Sequence, residues 1–424
     1  MKKNIKNIIS ITILIFVMCV LIISVKTVNK NQTLSSSSSS NFNEEIVNDT
    51  NFEYITARES LNTDIKFENN FGGENDDFVN SVYKLEHYYL IGTTKSTRCY
   101  FNNLKTPALY ILICDYNGNT VSVHTISFNY EITYITEKLC GNNFYILIKT
   151  NLVNVIKFNL NLKTFETIYS TNNLNCELIV SGEPILLEKL ETETKLTYLV
   201  TNKTTTLQQI IEQTYLSCEY LNGTLLFYLS NNTVNISTII NNKVNNIKTF
   251  VNCTLENFTI TEENFVLVFN ENKKLKVIIL DMLFNTEKEI VLNSGNNVAL
   301  HYNNNTYYLF YKNNNNLFAT TFCKHGDILI NEKLLEEQIE NFNILLLNNN
   351  FLILTDKKEE IKIIKVNFIF DKVESKTFID NFKTTYFEAN STALTIFGET
   401  ENNKNTVTKN FGKRDVFILE INIF

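Results

Sequence analysis

The sequence predicts an all-β protein folded as a single eight-bladed β-propeller, and three observations lead to it. Short apolar pulses begin at Tyr88, Phe144, Ile185, Leu225, Phe265, Tyr307, Phe351 and Ala393, in steps of 56, 41, 40, 40, 42, 44 and 42 residues. A unit of about 40–45 residues holding several short strands has the period of a propeller blade. The apolar residues are mostly Ile, Leu, Val, Phe and Tyr, including 31 Phe and 20 Tyr, the types that suit a pleated, half-buried surface. Between the pulses lie clusters of Asn, Asp, Gly and Lys that read as turns. With 11 Gly and 2 Pro against abundant Asn, the turns are expected to use Asn, which tolerates left-handed backbone.

The chain opens differently. Residues 8–25, IISITILIFVMCVLIISV, carry no charge, and lysines stand on both sides. The run exceeds the usual h-region of a signal peptide, and no A-x-A-like site follows it. It is long enough to span a bilayer as a helix. An uncleaved transmembrane anchor is therefore expected in preference to a cleaved signal. Residues 1–7 form a short basic tail expected on the cytoplasmic side, with the large domain outside. Cys19 follows Met18 within the apolar run, so it reads as a membrane-embedded residue and not a lipidation site. Residues 26–62, with six serines from Ser35 to Ser40 and many Asn, Thr and Glu, have the composition of a flexible stalk.

Residues 63–424 carry the repeat. In the first unit, strands are expected near Val79–Leu85, Tyr88–Gly92, Ala108–Cys114 and Val121–Ile126. The last two are joined by Asp115-Tyr116-Asn117-Gly118-Asn119, an Asn-Gly hairpin signal. The sixth unit reads alike, with Cys323 followed by Lys324-His325-Gly326-Asp327, so both copies read as Cys, turn, strand. The eighth unit has three strands, around Tyr386, at Ala393–Gly398 and at Val416–Ile421, while an extra strand, Asp64–Phe71, precedes unit one. Pairing that strand with the C-terminal strands closes the ring and removes two exposed edges. Seven blades, with two units merged or one pulse outside the ring, is the alternative; the regular steps after Phe144 favour eight.

The run Phe71-Gly72-Gly73-Glu74-Asn75-Asp76-Asp77-Phe78-Val79-Asn80-Ser81-Val82 resembles the G-G-x-x-D-D-x-F-x-x-V signature of bacterial cell-surface repeat β-propeller proteins. Leu90-Ile91-Gly92-Thr93-Thr94 and the C-terminal stretches around Gly398 and Phe411–Leu419 resemble other parts of the same repeat. The resemblance covers units one and eight, and it implies a propeller at the cell surface without implying a reaction.

Chemistry is sparse. The candidate acids are Asp76, Asp77 and Asp115. Two adjacent carboxylates supply too few oxygens for calcium by themselves, so Asp76 and Asp77 read first as turn acceptors. Asp115 reads as part of its hairpin, because the bidentate Glu of a calcium loop is missing. The four histidines, His87, His124, His301 and His325, show no metal-binding spacing. No nucleophile elbow, phosphate loop or dinucleotide fingerprint occurs, and neither an enzyme nor a cofactor is expected. Seven cysteines lie beyond the membrane segment; Cys176, Cys218 and Cys253 begin successive units and are expected on first strands as buried thiols. The net charge of −7 divides into +5 over residues 1–30 and −12 over the rest, which argues against nucleic acid as a partner. The function expected is a monomeric, membrane-tethered extracellular propeller that binds a protein or glycan on one face. An envelope-assembly or secretion scaffold is the second reading, and a glycan-active enzyme the third.

Overall fold

The computed structural model describes residues 65–422 apart from 98–106, 221–222, 241–242, 348, 358–359, 380–381, 391–392 and 401–413. The expected cytoplasmic tail, anchor and stalk lie outside the described residues, as does Cys99. Among the described residues no helix is long and apolar enough to cross a membrane.

Among the described residues, thirty-two strands form eight four-stranded antiparallel sheets, the eight blades of one propeller. Blades one to seven occupy residues 77–127, 134–171, 176–207, 213–251, 253–291, 296–336 and 341–379. In each, four consecutive strands lie side by side in chain order. At seven of the eight junctions the first strands of neighbouring blades touch, so they surround the axis and the fourth strands form the rim. Blade eight takes Phe382–Ala389, Ala393–Thr400 and Asp415–Asn422 from the C-terminus, and its rim strand is the N-terminal Ile65–Phe71. That strand pairs antiparallel with Asp415–Asn422, from Ile65 opposite Ile421 to Phe71 opposite Val416. The expected closure is what the fold contains.

Every apolar pulse is the second strand of a blade. This strand has neighbours along both edges and a blade against each face, so it cannot alternate in and out. Five consecutive residues of Asn143–Lys149, Glu183–Lys189, Thr306–Asn313 and Asn350–Lys357 are buried. A strand covered on both faces reads as a continuous apolar run. The rim strands lose that cover; Lys243–Val251 and Thr286–Val291 are mostly exposed. The long first step of the repeat also has a simple origin. In blade one the second and third strands are joined through residues 95–107, whereas blades four, five and six make that join with two-residue turns.

Those two-residue turns show how Asn stands in for Gly. Asn231-Asn232, Asn272-Lys273 and Asn314-Asn315 all have positive φ, as does Asn304-Asn305 between the first two strands of blade six. Two successive left-handed residues are what a type I′ hairpin requires.

The turn between third and fourth strands is different and recurs. In blade one the Asp115 amide donates to the Asn119 carbonyl and the Gly118 amide to the Asp115 carbonyl, at 2.9 and 3.1 Å. The same two bonds close Asp281–Asn285 in blade five, Cys323–Asp327 in blade six and Asn367–Asp371 in blade seven. The fourth position is left-handed each time, at Gly118, Phe284, Gly326 and Phe370. This is a three-residue loop ending in a left-handed residue. The expected hairpin over Asp115–Asn119 is present, with Gly118 as its left-handed residue. One expectation is corrected here. The copies in blades one and six align on their glycines, which sets Cys323 opposite Asp115 and not opposite Cys114.

Candidate interaction surfaces

The three candidate acids separate into two structural settings. Asp77 opens the first strand of blade one and is fully buried. Its Oδ2 accepts hydrogen bonds from the Gly73 amide at 2.8 Å and the Ser96 hydroxyl at 3.0 Å, and its Oδ1 accepts one from the Thr94 hydroxyl. Burial pushes its carboxyl up to about 6, against the opposing pull of those hydrogen bonds. Its amide donates to the Arg414 carbonyl at 2.9 Å, and Asp76 bridges to Arg414. Gly72 is needed where the chain crosses from blade eight to blade one. A Cβ there would stand 2.1 Å from Asp415 Oδ1 and 3.0 Å from Asp77 Oδ2.

Glu399, also buried, accepts the Val79 amide at 3.2 Å and lies 3.8 Å from Arg414. Burial raises its carboxyl, with Lys383 and Arg414 acting the other way. The glycine and acid marks of units one and eight therefore converge on the seam that closes the ring. Asp77 and Asp415 are sealed from solvent, which suits a lock and leaves no room for a substrate between them.

Asp115 belongs to the hairpin. Its Oδ1 accepts the amides of Asn117 and Asn119 at 2.9 and 2.8 Å, the acceptor pattern of an Asx-type turn. Asp281 repeats it with Leu283 and Asn285, both at 2.8 Å, and Asn367 with Ile369 and Asp371 at 3.1 and 2.9 Å.

The histidines and cysteines also fall into place. Burial lowers His124 to about 4, so it is neutral beside Phe158. His301, likewise lowered by burial, packs against Phe310 and Phe351. Among the described residues no three His, Cys, Asp or Glu side chains are grouped to hold a metal. Cys176, Cys218 and Cys253 do sit on first strands, where Cys176 and Cys253 are buried but Cys218, against expectation, is half-buried; all six described cysteines are free thiols.

Lysines that sequence reasoning passed over tie blade to blade. Lys248, on the rim strand of blade four, donates to the Phe284 carbonyl at 2.9 Å and the Thr286 hydroxyl at 2.8 Å in blade five. Lys333, on the rim strand of blade six, donates to the Ile369 carbonyl at 3.1 Å and Asp371 at 2.8 Å in blade seven. Lys288 of blade five lies 3.9 Å from Asp327 of blade six, and Lys376 of blade seven reaches the Asn422 carbonyl of blade eight at 3.3 Å. Their near-blade spacing was the available signal.

Two of these clamps, Lys248 and Lys333, hold hairpins whose tips are aliphatic. Leu162, Val200, Leu283 and Ile369 are 72%, 60%, 71% and 58% exposed in the third-to-fourth-strand turns of blades two, three, five and seven. Antiparallel order puts these turns at the same end of each blade as the first-to-second-strand turns. Hydrogen bonds between the two sets bear this out, from the Leu160 amide to the Asn142 carbonyl at 3.0 Å and from the Lys324 amide to the Asn305 carbonyl at 3.1 Å. Four aliphatic tips thus stand on one face of the ring.

No family model and no curated protein matches the chain. Among solved structures it is similar to the Dos1 propeller, at a TM-score of 0.50 and 13% identity over 82% of this chain and 94% of that one. It is also similar to the dihydro-heme d1 dehydrogenase NirN, at 0.50 and 12% over 74% and 71%. It covers 54% of a prolyl endopeptidase, about half that protein's length, at a TM-score of 0.46 and 8% identity. At such identities the likeness is one of fold, and the class it defines is the β-propeller, a fold that serves widely as an interaction scaffold.

Proposed function

We propose that the protein is a membrane-tethered binding module. In this reading residues 8–25 anchor it, residues 26–62 space it from the bilayer, and the propeller faces outward to hold a protein partner. The observation that carries the partner class is the set of aliphatic tips at Leu162, Val200, Leu283 and Ile369 on one face. Apolar side chains on rigid turns bury area against a partner with little ordering cost. A protein surface fits them better than a glycan, since sugars favour aromatic platforms and, of the exposed tyrosines Tyr116, Tyr130, Tyr134 and Tyr302, Tyr116 alone stands in a third-to-fourth-strand turn, that of blade one.

The test is crosslinking on intact cells followed by capture, comparing the wild type with a variant carrying L162S, V200S, L283S and I369S. Loss of the captured protein at an unchanged thermal midpoint is expected. Equal capture by the variant would refute the face. Protease added to intact cells should cleave the domain or stalk; full protection until lysis would refute the outward placement.

A further inference from the structure

A groove between blades six and seven has the opposite electrostatic character to the acidic body around it. Glu336 ends the rim strand of blade six and is buried. Three lysines of blade seven converge on its carboxylate. Lys357 Nζ and Lys362 Nζ stand 2.8 Å from Oε1, Lys362 is also 2.9 Å from Oε2, and Lys372 is 3.3 Å from Oε2. Burial alone would raise the Glu336 carboxyl, but the hydrogen bonds from Lys357 and Lys362 and the charges of Lys362 and Lys372 hold it down at about 2. The carboxylate is therefore charged at any physiological pH, and together with the exposed Glu337 on the same lining it offsets two of the three cations.

Each ammonium has three donor hydrogens, and the carboxylate occupies one or two of them on each lysine. Every lysine thus keeps at least one donor for another acceptor. These side chains line a cavity of about 400 Å³ together with Leu334, Leu335, Glu337 and Gln338. A second hollow, of about 260 Å³ on blade five, gives the contrast. There Lys276 is matched by Glu289 at 3.0 Å and Glu271 at 3.4 Å. With Glu337 counted, the first groove keeps one positive charge over, whereas in the second Lys274 and Lys276 are balanced by Glu271 and Glu289, within residues 31–424 that carry −12 in total.

We propose that the groove walled by Lys357, Lys362 and Lys372 over Glu336 binds the phosphoryl or sulfate group of a small ester. Lysine ammoniums supply charge-assisted hydrogen bonds to such oxygens. The cavity lies within the range of small-molecule sites and is larger than a bare ion needs, so the organic part of the ester sits beside Leu334 and Leu335. Glu336 holds the three ammoniums apart in fixed positions and competes with the ligand for them. The site lies between blades and is independent of the aliphatic tips.

The experiment is calorimetric titration of the full chain in neutral detergent at constant ionic strength. Inorganic phosphate, inorganic sulfate, glucose 6-phosphate, glucose 6-sulfate and glucose are the ligands. Saturable binding of the esters is expected, tighter than of the bare ions, with none for glucose. Lys362→Met should weaken binding about tenfold or more, the loss of one charge-assisted hydrogen bond. The more exposed Lys372→Met serves as the second variant and should weaken binding in the same direction. Glu336→Gln should tighten binding, because it releases ammonium hydrogens and removes a competing charge. A structural ion-pair network alone predicts no saturable binding in any form. That result, or ester binding unchanged in both lysine variants, overturns the proposal.

Discussion

Lys248 Nζ donates a 2.9 Å hydrogen bond to the Phe284 carbonyl, so the rim strand of one blade grips the outer hairpin of the next. Phe284 has positive φ, an uncommon state for a bulky residue, and its ring is buried against Phe265 with centroids 4.8 Å apart. Packing and clamp together keep that backbone in place. Lys248→Met should therefore cost on the order of 1 kcal/mol and raise hydrogen exchange in residues 281–286. Exchange unchanged there would show the clamp to be incidental.

The crossing at Gly72 leaves no room for a methyl group. Gly72→Ala would drive a Cβ into Asp415 and Asp77 at the buried seam, and a loss of about 2 kcal/mol or more is expected in urea unfolding. Gly141→Ala is the comparison, because a Cβ there meets nothing within 4 Å; its cost should be confined to the backbone, whose φ is +56°.

Asp356 yields a pH dependence. Burial, and after it the nearby Glu340, raises its carboxyl to about 6 from 3.8. The folded chain holds this proton more tightly than the unfolded one. Stability from this group is therefore greatest below about pH 4 and falls as the pH rises through about 6. Asp356→Asn should stabilise the protein on the order of 1–2 kcal/mol at pH 7, allowing for its partial exposure, and make little difference near pH 4. Thermal midpoints of both proteins across pH 4–8 check the sign. A variant less stable at pH 7 than at pH 4, relative to wild type, would contradict it.

The free thiols lead to a redox prediction. Cys114 is fully buried, and burial pushes its thiol well above the ordinary range. With all six described cysteines unpaired, a reductant should leave the thermal midpoint unchanged, and Cys114 should resist alkylation until the protein unfolds. A large drop in midpoint on reduction would contradict this.

How much was legible in the sequence follows from which interactions are periodic. Second strands are covered on both faces, so each leaves a run such as Phe265–Phe269 that can be counted. Ring closure could be read because an unpaired strand at one end matched a missing one at the other. Asp77 was legible as a turn acid, but its place beside Asp415 was not, since the two are far apart in sequence and meet only when the ring closes. The lysine clamps escaped notice because Lys248, Lys288, Lys333 and Lys376 lie on exposed strands where lysine is expected anyway. Glu336 was hidden for the same reason: its partners come from three strands of the next blade, and a rim glutamate near lysines has no signature of its own. The equivalence of Cys323 with Asp115 was misread because adjacent cysteines drew attention from the left-handed glycines that set the register.

Ring closure is the claim on which blade count, seam and face all depend, and paired truncations test it most directly. A chain beginning at Asn62 keeps Ile65–Phe71 and should be soluble, with a single cooperative thermal transition. A chain beginning at Gly72 loses the strand that covers Asp415–Asn422, from Ile421 to Val416, and exposes a long apolar edge. It should aggregate or lose cooperative unfolding. A chain beginning at Gly72 that stayed monomeric and unfolded at the same midpoint as the longer one would contradict the closure.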